Sequence, residues 1–102
     1  MRVLEVNSSK ERCTESGWDA YDVVIESNID EEFISALRPL GALVYMPMLK
    51  KPFFKVESDY FFLKGIVGDN CFRLASHRDY SDKRDYVISF IERLKFDIKE
   101  SE

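Results

Sequence analysis

ALVYMPMLKKPFFKVESDYFFLKGIVGDNCFRLAS, residues Ala42 to Ser76, reads as consecutive short strands separated by turn chemistry. Ala42 to Met46 is apolar at every position, the pattern of a strand covered on both faces. Pro47 ends it, because proline has no N–H to give a sheet ladder. Phe53 to Glu57 alternates, with Phe54 and Val56 on one side and Phe53, Lys55 and Glu57 on the other. Ser58 and Asp59 supply a tight turn, since short polar side chains bond their own backbone. Tyr60 to Val67 is the next strand. Gly68, Asp69 and Asn70 then form a turn, and Cys71 to Ala75 returns with Phe72 and Leu74 opposite Arg73.

The strand Tyr60–Val67 is informative because both of its sides are apolar. One carries Phe61, Leu63, Gly65 and Val67; the other carries Tyr60, Phe62, Lys64 and Ile66. A sheet with helices on one face and water on the other is polar on its wet side. Phe53 and Met46 extend the second apolar surface if the neighbouring strands keep register. That surface calls for a cover, either the N-terminal segment or a second chain.

Outward from this meander, Arg2 to Val6 forms a short first strand with Leu4 and Val6 facing inward, and residues 7–17 form a long polar loop. Trp18 follows as a plug over the core edge. Ala20 to Ser27 alternates as a strand, with Tyr21, Val23 and Ile25 set against Asp22, Val24 and Glu26. Asn28 or Asp30 caps a helix near Asp30–Leu40. Asp30, Glu31 and Glu32 sit in its first turn, where the dipole favours carboxylates, and Pro39 and Gly41 stop it. A second helix spans Ser81–Phe96, with Val87, Phe90, Ile91, Leu94 and Ile98 on one face. The expected core is Phe33, Leu37, Phe61, Leu63, Phe72, Val87, Phe90 and Leu94. Residues 99–102 fray.

The 102 residues make one domain, expected to bury roughly two-thirds of its unfolded surface. At 45% apolar and 14% aromatic residues it folds as a globule. No apolar run approaches the ~20 residues of a membrane span, and the N-terminus has no signal-peptide core, so the expected setting is cytoplasmic with Cys13 and Cys71 unbonded. Asn7-Ser8-Ser9 is then a chance match to a glycosylation pattern. Residues 1–41 carry nine acidic and four basic side chains, whereas residues 42–76 carry three acidic and five basic. The meander is the basic part of an acidic chain of net charge −4.

Chemistry is sparse. Ser76, His77 and Asp79 have the residue types of a triad, but triads are assembled from separate elements. Cys71 as a nucleophile has only His77 as a base. Gly65-Ile66-Val67-Gly68 is not a phosphate loop, and neither metal-ligand spacing nor any cofactor motif is present. Lysines among aromatics echo an RNA-binding sheet, but the motif is incomplete and the net charge opposes nucleic acid. The connection Met46–Phe53 holds apolar Met48 and Leu49 beside Lys50 and Lys51 between two prolines, the pattern of a contact segment that steers an acidic partner.

The expectation is therefore a two-layer α+β sandwich, with an antiparallel sheet of four to six strands carrying two helices on one face. Its role is that of a protein-interaction or subunit domain rather than an enzyme. The contact residues are Met48, Leu49, Lys50, Lys51, Phe53, Tyr60, Phe62 and Ile66, and a homodimer forms through the aromatic face. The alternative is a small-ligand or anion site, open to catalysis, at the strand–helix junction of His77, Arg78, Asp79 and Ser81.

Overall fold

The computed structural model describes residues 1–8, 17–80 and 82–94. In chain order the elements are β1 (Val3–Ser8), β2 (Trp18–Ile25), α1 (Glu31–Ala36), a 3₁₀ turn (Arg38–Leu40), β3 (Ala42–Met46), β4 (Phe53–Glu57), β5 (Phe61–Ile66), β6 (Cys71–His77), a second 3₁₀ turn (Arg78–Tyr80) and α2 (Asp82–Arg93). The six strands form one antiparallel sheet in the order β1-β2-β6-β5-β4-β3. Both helices pack on the same face: Phe33 of α1 meets Phe72, and Tyr86 of α2 meets Phe61. The fold is the expected two-layer α+β sandwich.

Register follows from the alternation of side chains. Val23 lies opposite Phe72, Leu74 opposite Tyr21 and Leu63, and Leu63 opposite Val56, so their side chains fall on one face and close the core under the helices. Gly65 belongs to this face. A Cβ there would stand 2.8 Å from Cε1 of Phe54, so the missing side chain makes room for the buried Phe54 ring.

The Asp30 side chain accepts the Phe33 N–H at 2.8 Å and caps α1, with Glu31 and Glu32 in its first turn. α1 is shorter than expected. It stops at Ala36 and gives way to the 3₁₀ turn because Pro39 has no N–H for a further helical bond and disfavours helical backbone at Arg38. The α1 segment carries the chain from β2 to the far edge of the sheet, and β3–β6 meander back. The β5–β6 turn uses Gly68 at φ +98°. It is tied to the start of α1 by the Gly68 N–H to Ile29 O bond (2.9 Å) and the Ile29 N–H to Asp69 O bond (2.7 Å).

Several expectations are corrected. β3 is an edge strand, not one covered on both sides; Val44 is 44% exposed. Leu4 is exposed rather than inward, because the register shifts between Val3 and Glu5 and leaves it as a bulge; Val6, opposite Val23, keeps the inner side but is 39% exposed on the edge strand. Phe90 and Leu94 are only half-buried, and Ile91 takes the core position beside Val87, since the helix turns its Val87–Ile91 line straight onto the sheet. Trp18 opens β2 and does not plug the core edge. Cys13, Ser81, Phe96 and Ile98 lie outside the described residues.

These placements give a ranked stability series, measured by urea denaturation. Ile91→Ala should cost about 2–5 kcal/mol by leaving a cavity, and half-buried Phe90→Ala should cost less. A larger loss for Phe90→Ala would contradict the helix orientation. Gly41→Ala should cost about 1–3 kcal/mol or more, because its Cβ would lie 2.2 Å from the immobile Glu57 carbonyl oxygen. Gly68→Ala meets no neighbour within 4 Å and should lose only the roughly 1–2 kcal/mol of left-handed backbone.

Candidate interaction surface

Alternation places Trp18, Asp22, Phe53, Lys55, Phe62, Lys64, Ile66, Arg73 and His77 on the face of the sheet away from the helices. The cross-strand pairs Asp22–Arg73, Arg73–Lys64, Lys64–Lys55 and Lys55–Val44 make one continuous row from β2 to β3. Three cations therefore stand side by side on β6, β5 and β4. Like charges directly opposite one another destabilise a sheet. The row is held by local compensation: Glu57 lies 3.2 Å from Lys55 Nζ, and the two lysine ammoniums lie 5.1 and 6.0 Å from the centre of the Phe62 ring. Beside the row, Asp22, Phe53, Lys64, Ile66, Asp69 and Cys71 line an open cleft of about 450 Å³.

Beside the row, toward one end of the strands, the rings form a chain. Phe62 packs on Trp18 at 5.9 Å and Trp18 on the edge of His77 at 5.8 Å. His77 meets Tyr80 at 5.7 Å, and Tyr80 lies 4.1 Å from Tyr60. Backbone bonds fix this corner, with the His77 N–H donating to Tyr60 O and the Arg78 N–H to Gly17 O. The Arg78 guanidinium adds a two-pronged pair with Asp19, at 3.1 and 3.5 Å.

The structure brings together two groups that the sequence kept apart. Tyr60 and Phe62 join His77, Arg78 and Asp79 in one corner. Tyr60 is outside β5, in the β4–β5 turn, which corrects its place in the strand. Phe53 and Ile66 pair across β4 and β5 at the opposite end. Met48 and Leu49 are exposed there, at 75% and 45%, in the connection that also carries Lys50 and Lys51. The row Arg73–Lys64–Lys55 and the place of Trp18 escaped sequence reasoning. Strand alternation already assigned both lysines to this face, but only the register sets them against each other.

At the junction the triad-like residue types do not converge. Ser76 is buried on the helix-covered face while its neighbour His77 points the other way, as alternate strand residues must. His77 Nδ1 accepts the Asp79 N–H at 3.1 Å, and Arg78 is engaged by Asp19. Cys71 is on the His77 side but roughly 20 Å along the strand. Burial, with Asp22 and Asp69 adding to it and Arg73 opposing, pushes the Cys71 thiol above its usual 9.0 and away from nucleophilic use. Cys71 is a free thiol.

The fold and this surface define a small two-layer α+β protein with one helix-free, mixed aromatic and cationic sheet face. Comparison with protein-family models, curated proteins and solved structures finds no match for the chain. Among the described residues no cluster of His, Cys, Asp and Glu could hold a metal, and no helix is long and apolar enough to cross a membrane.

Alkaline pH should weaken the fold. The Glu31 carboxylate accepts the Tyr45 hydroxyl at 2.9 Å and raises that phenol above its usual 10.0, as burial does for Cys71. Acids whose folded pKa is raised contribute stability that is intact below the unfolded value and lost as pH climbs through the folded one. The urea midpoint should fall as pH climbs above about 9, and less steeply in Cys71→Ala. A flat or rising midpoint would refute the two assignments.

Proposed function

We propose that the protein is an interaction domain that receives an acidic surface of a partner protein on the helix-free face of its sheet. The observation that carries this is the cationic row Arg73–Lys64–Lys55. Lys55 and Lys64 stand directly opposite each other, like charges so placed repel, and a partner's carboxylates laid between them would relieve that repulsion. The lysines speed encounter with such a partner, and the rings of Phe62, Trp18 and Tyr60 supply amphipathic contact area beside them. Lys50 and Lys51, at the far end, extend the same polarity beyond the sheet, with Met48 and Leu49 as adaptable contacts.

The same row argues against laying two copies face to face, since a twofold centred on it would oppose cations to cations. The lysine stems and Trp18 also cover much of Phe62, so that ring does not need a second copy over it. A reducing, cytoplasmic setting is part of the proposal and accords with the free Cys71 thiol.

Titration of the isotope-labelled protein with poly-glutamate, followed by NMR, tests the reading. Shifts should concentrate at Lys55, Phe62, Lys64 and Arg73, weaken with salt, and vanish in K55E/K64E. Undiminished binding by that variant, or shifts centred on Lys83 and Arg84 of α2, would overturn it. Tighter binding of a single-stranded oligonucleotide than of poly-glutamate would replace it with a nucleic-acid reading.

A further inference from the structure

The two edges of the sheet are built differently. β1 is blunted in the ways that exposed edges usually are: a bulge at Leu4, and the polar residues Glu5 and Asn7, whose side chains bond each other at 3.0 Å. β3 has no such device. Ala-Leu-Val-Tyr-Met carries no charge, no proline and no register shift, and no described strand pairs with its outer side.

Its free backbone groups can be named. The Ser58 N–H to Phe61 O and Val67 N–H to Pro52 O bonds fix which opposed pairs of β4 and β5 are hydrogen-bonded. By alternation, Phe54 and Val56 bond to β5, while Phe53, Lys55 and Glu57 bond to β3. Within β3, Ala42, Val44 and Met46 therefore bond to β4. Leu43 and Tyr45 direct their N–H and C=O groups outward.

We infer that β3 pairs with β3 of a second copy, antiparallel about a twofold axis beside Val44, joining the two sheets into one. This register sets Leu43 against the copy's Tyr45 and Tyr45 against its Leu43, each pair exchanging both backbone bonds. Val44 meets its own counterpart as a non-hydrogen-bonded pair, with Cα atoms about 4.5 Å apart. A self-paired strand normally risks opposing like charges, and β3 has none to oppose. The paired Leu43 and Tyr45 side chains continue the covered face, and Ala42, Val44 and Met46 continue the open one. The strand is thereby flanked by backbone on both sides. The inference is independent of the acidic-partner reading, because edge and face are different surfaces with different variants.

The test is register-specific cross-linking in a Cys13→Ser, Cys71→Ser background. Under mild oxidation Val44→Cys should form a covalent dimer. Ala42→Cys, exposed on the same strand, should not, because the register holds its two copies roughly 14 Å apart. Light scattering of the unmodified chain should give about twice 12.0 kDa, and Val44→Asp should return it to monomer. A monomer at high micromolar concentration, or equal cross-linking at both positions, would overturn the inference. So would a dimer that survives Val44→Asp but is lost in Phe62→Glu, which would move association to the face.

Discussion

The pairing of β5 with β4 on one side and β6 on the other is the constraint on which everything else rests. Phe61 and Leu63 enter the core only while Leu63 stands between Val56 and Leu74. A slip of one residue would send Phe62 and Lys64 under the helices and Phe61 and Leu63 into water. Burying an unpaired ammonium is far costlier than any alternative packing could recover. The Phe54 ring over Gly65 locks the same register from the side, since a neighbour with a side chain there would expel it. The helices then need only close a face that the strands have already sorted.

That register also creates the least comfortable feature of the molecule. The alternation that buries Leu63, Leu74 and Val56 carries Lys64, Arg73 and Lys55 to the opposite face in a single line. Asp22 opposite Arg73, Glu57 beside Lys55 and the Phe62 ring relieve the repulsion locally. Core packing and surface charge are thus two sides of one geometric decision. The surface cannot be changed by shifting a strand, only by substituting residues.

Exposure in this fold comes in two physically distinct kinds. On the helix-free face the groups left to solvent are side chains, charges and rings. At the β3 edge they are main-chain donors and acceptors, the groups through which strands pair. The ring corner of Trp18, Phe62, His77, Tyr80 and Tyr60 belongs to the first kind. Backbone bonds and the Arg78–Asp19 pair tie its elements together.

Alternation in Phe53–Glu57 and Phe61–Ile66, the cap at Asp30, the stop at Pro39 and the turn at Gly68 were all legible in the sequence, because each depends on residues within a few positions of one another. So was the presence of a second apolar face carrying Phe53, Phe62 and Ile66. The edge position of β3 was not legible. Its all-apolar composition suits any strand with little water around it, and only the α1 crossing put it outermost. Local pattern likewise left Trp18, Leu4 and Phe90 misplaced, since strand start, bulge and helix rotation are set by packing against distant elements. The triad-like Ser76-His77-Asp79 dissolved for the opposite reason: neighbours in a strand point to opposite faces. The cationic row was decided by tertiary structure alone. The sequence places Lys55, Lys64 and Arg73 nine residues apart each time, a spacing that means nothing until two hairpins fold it into adjacent strands.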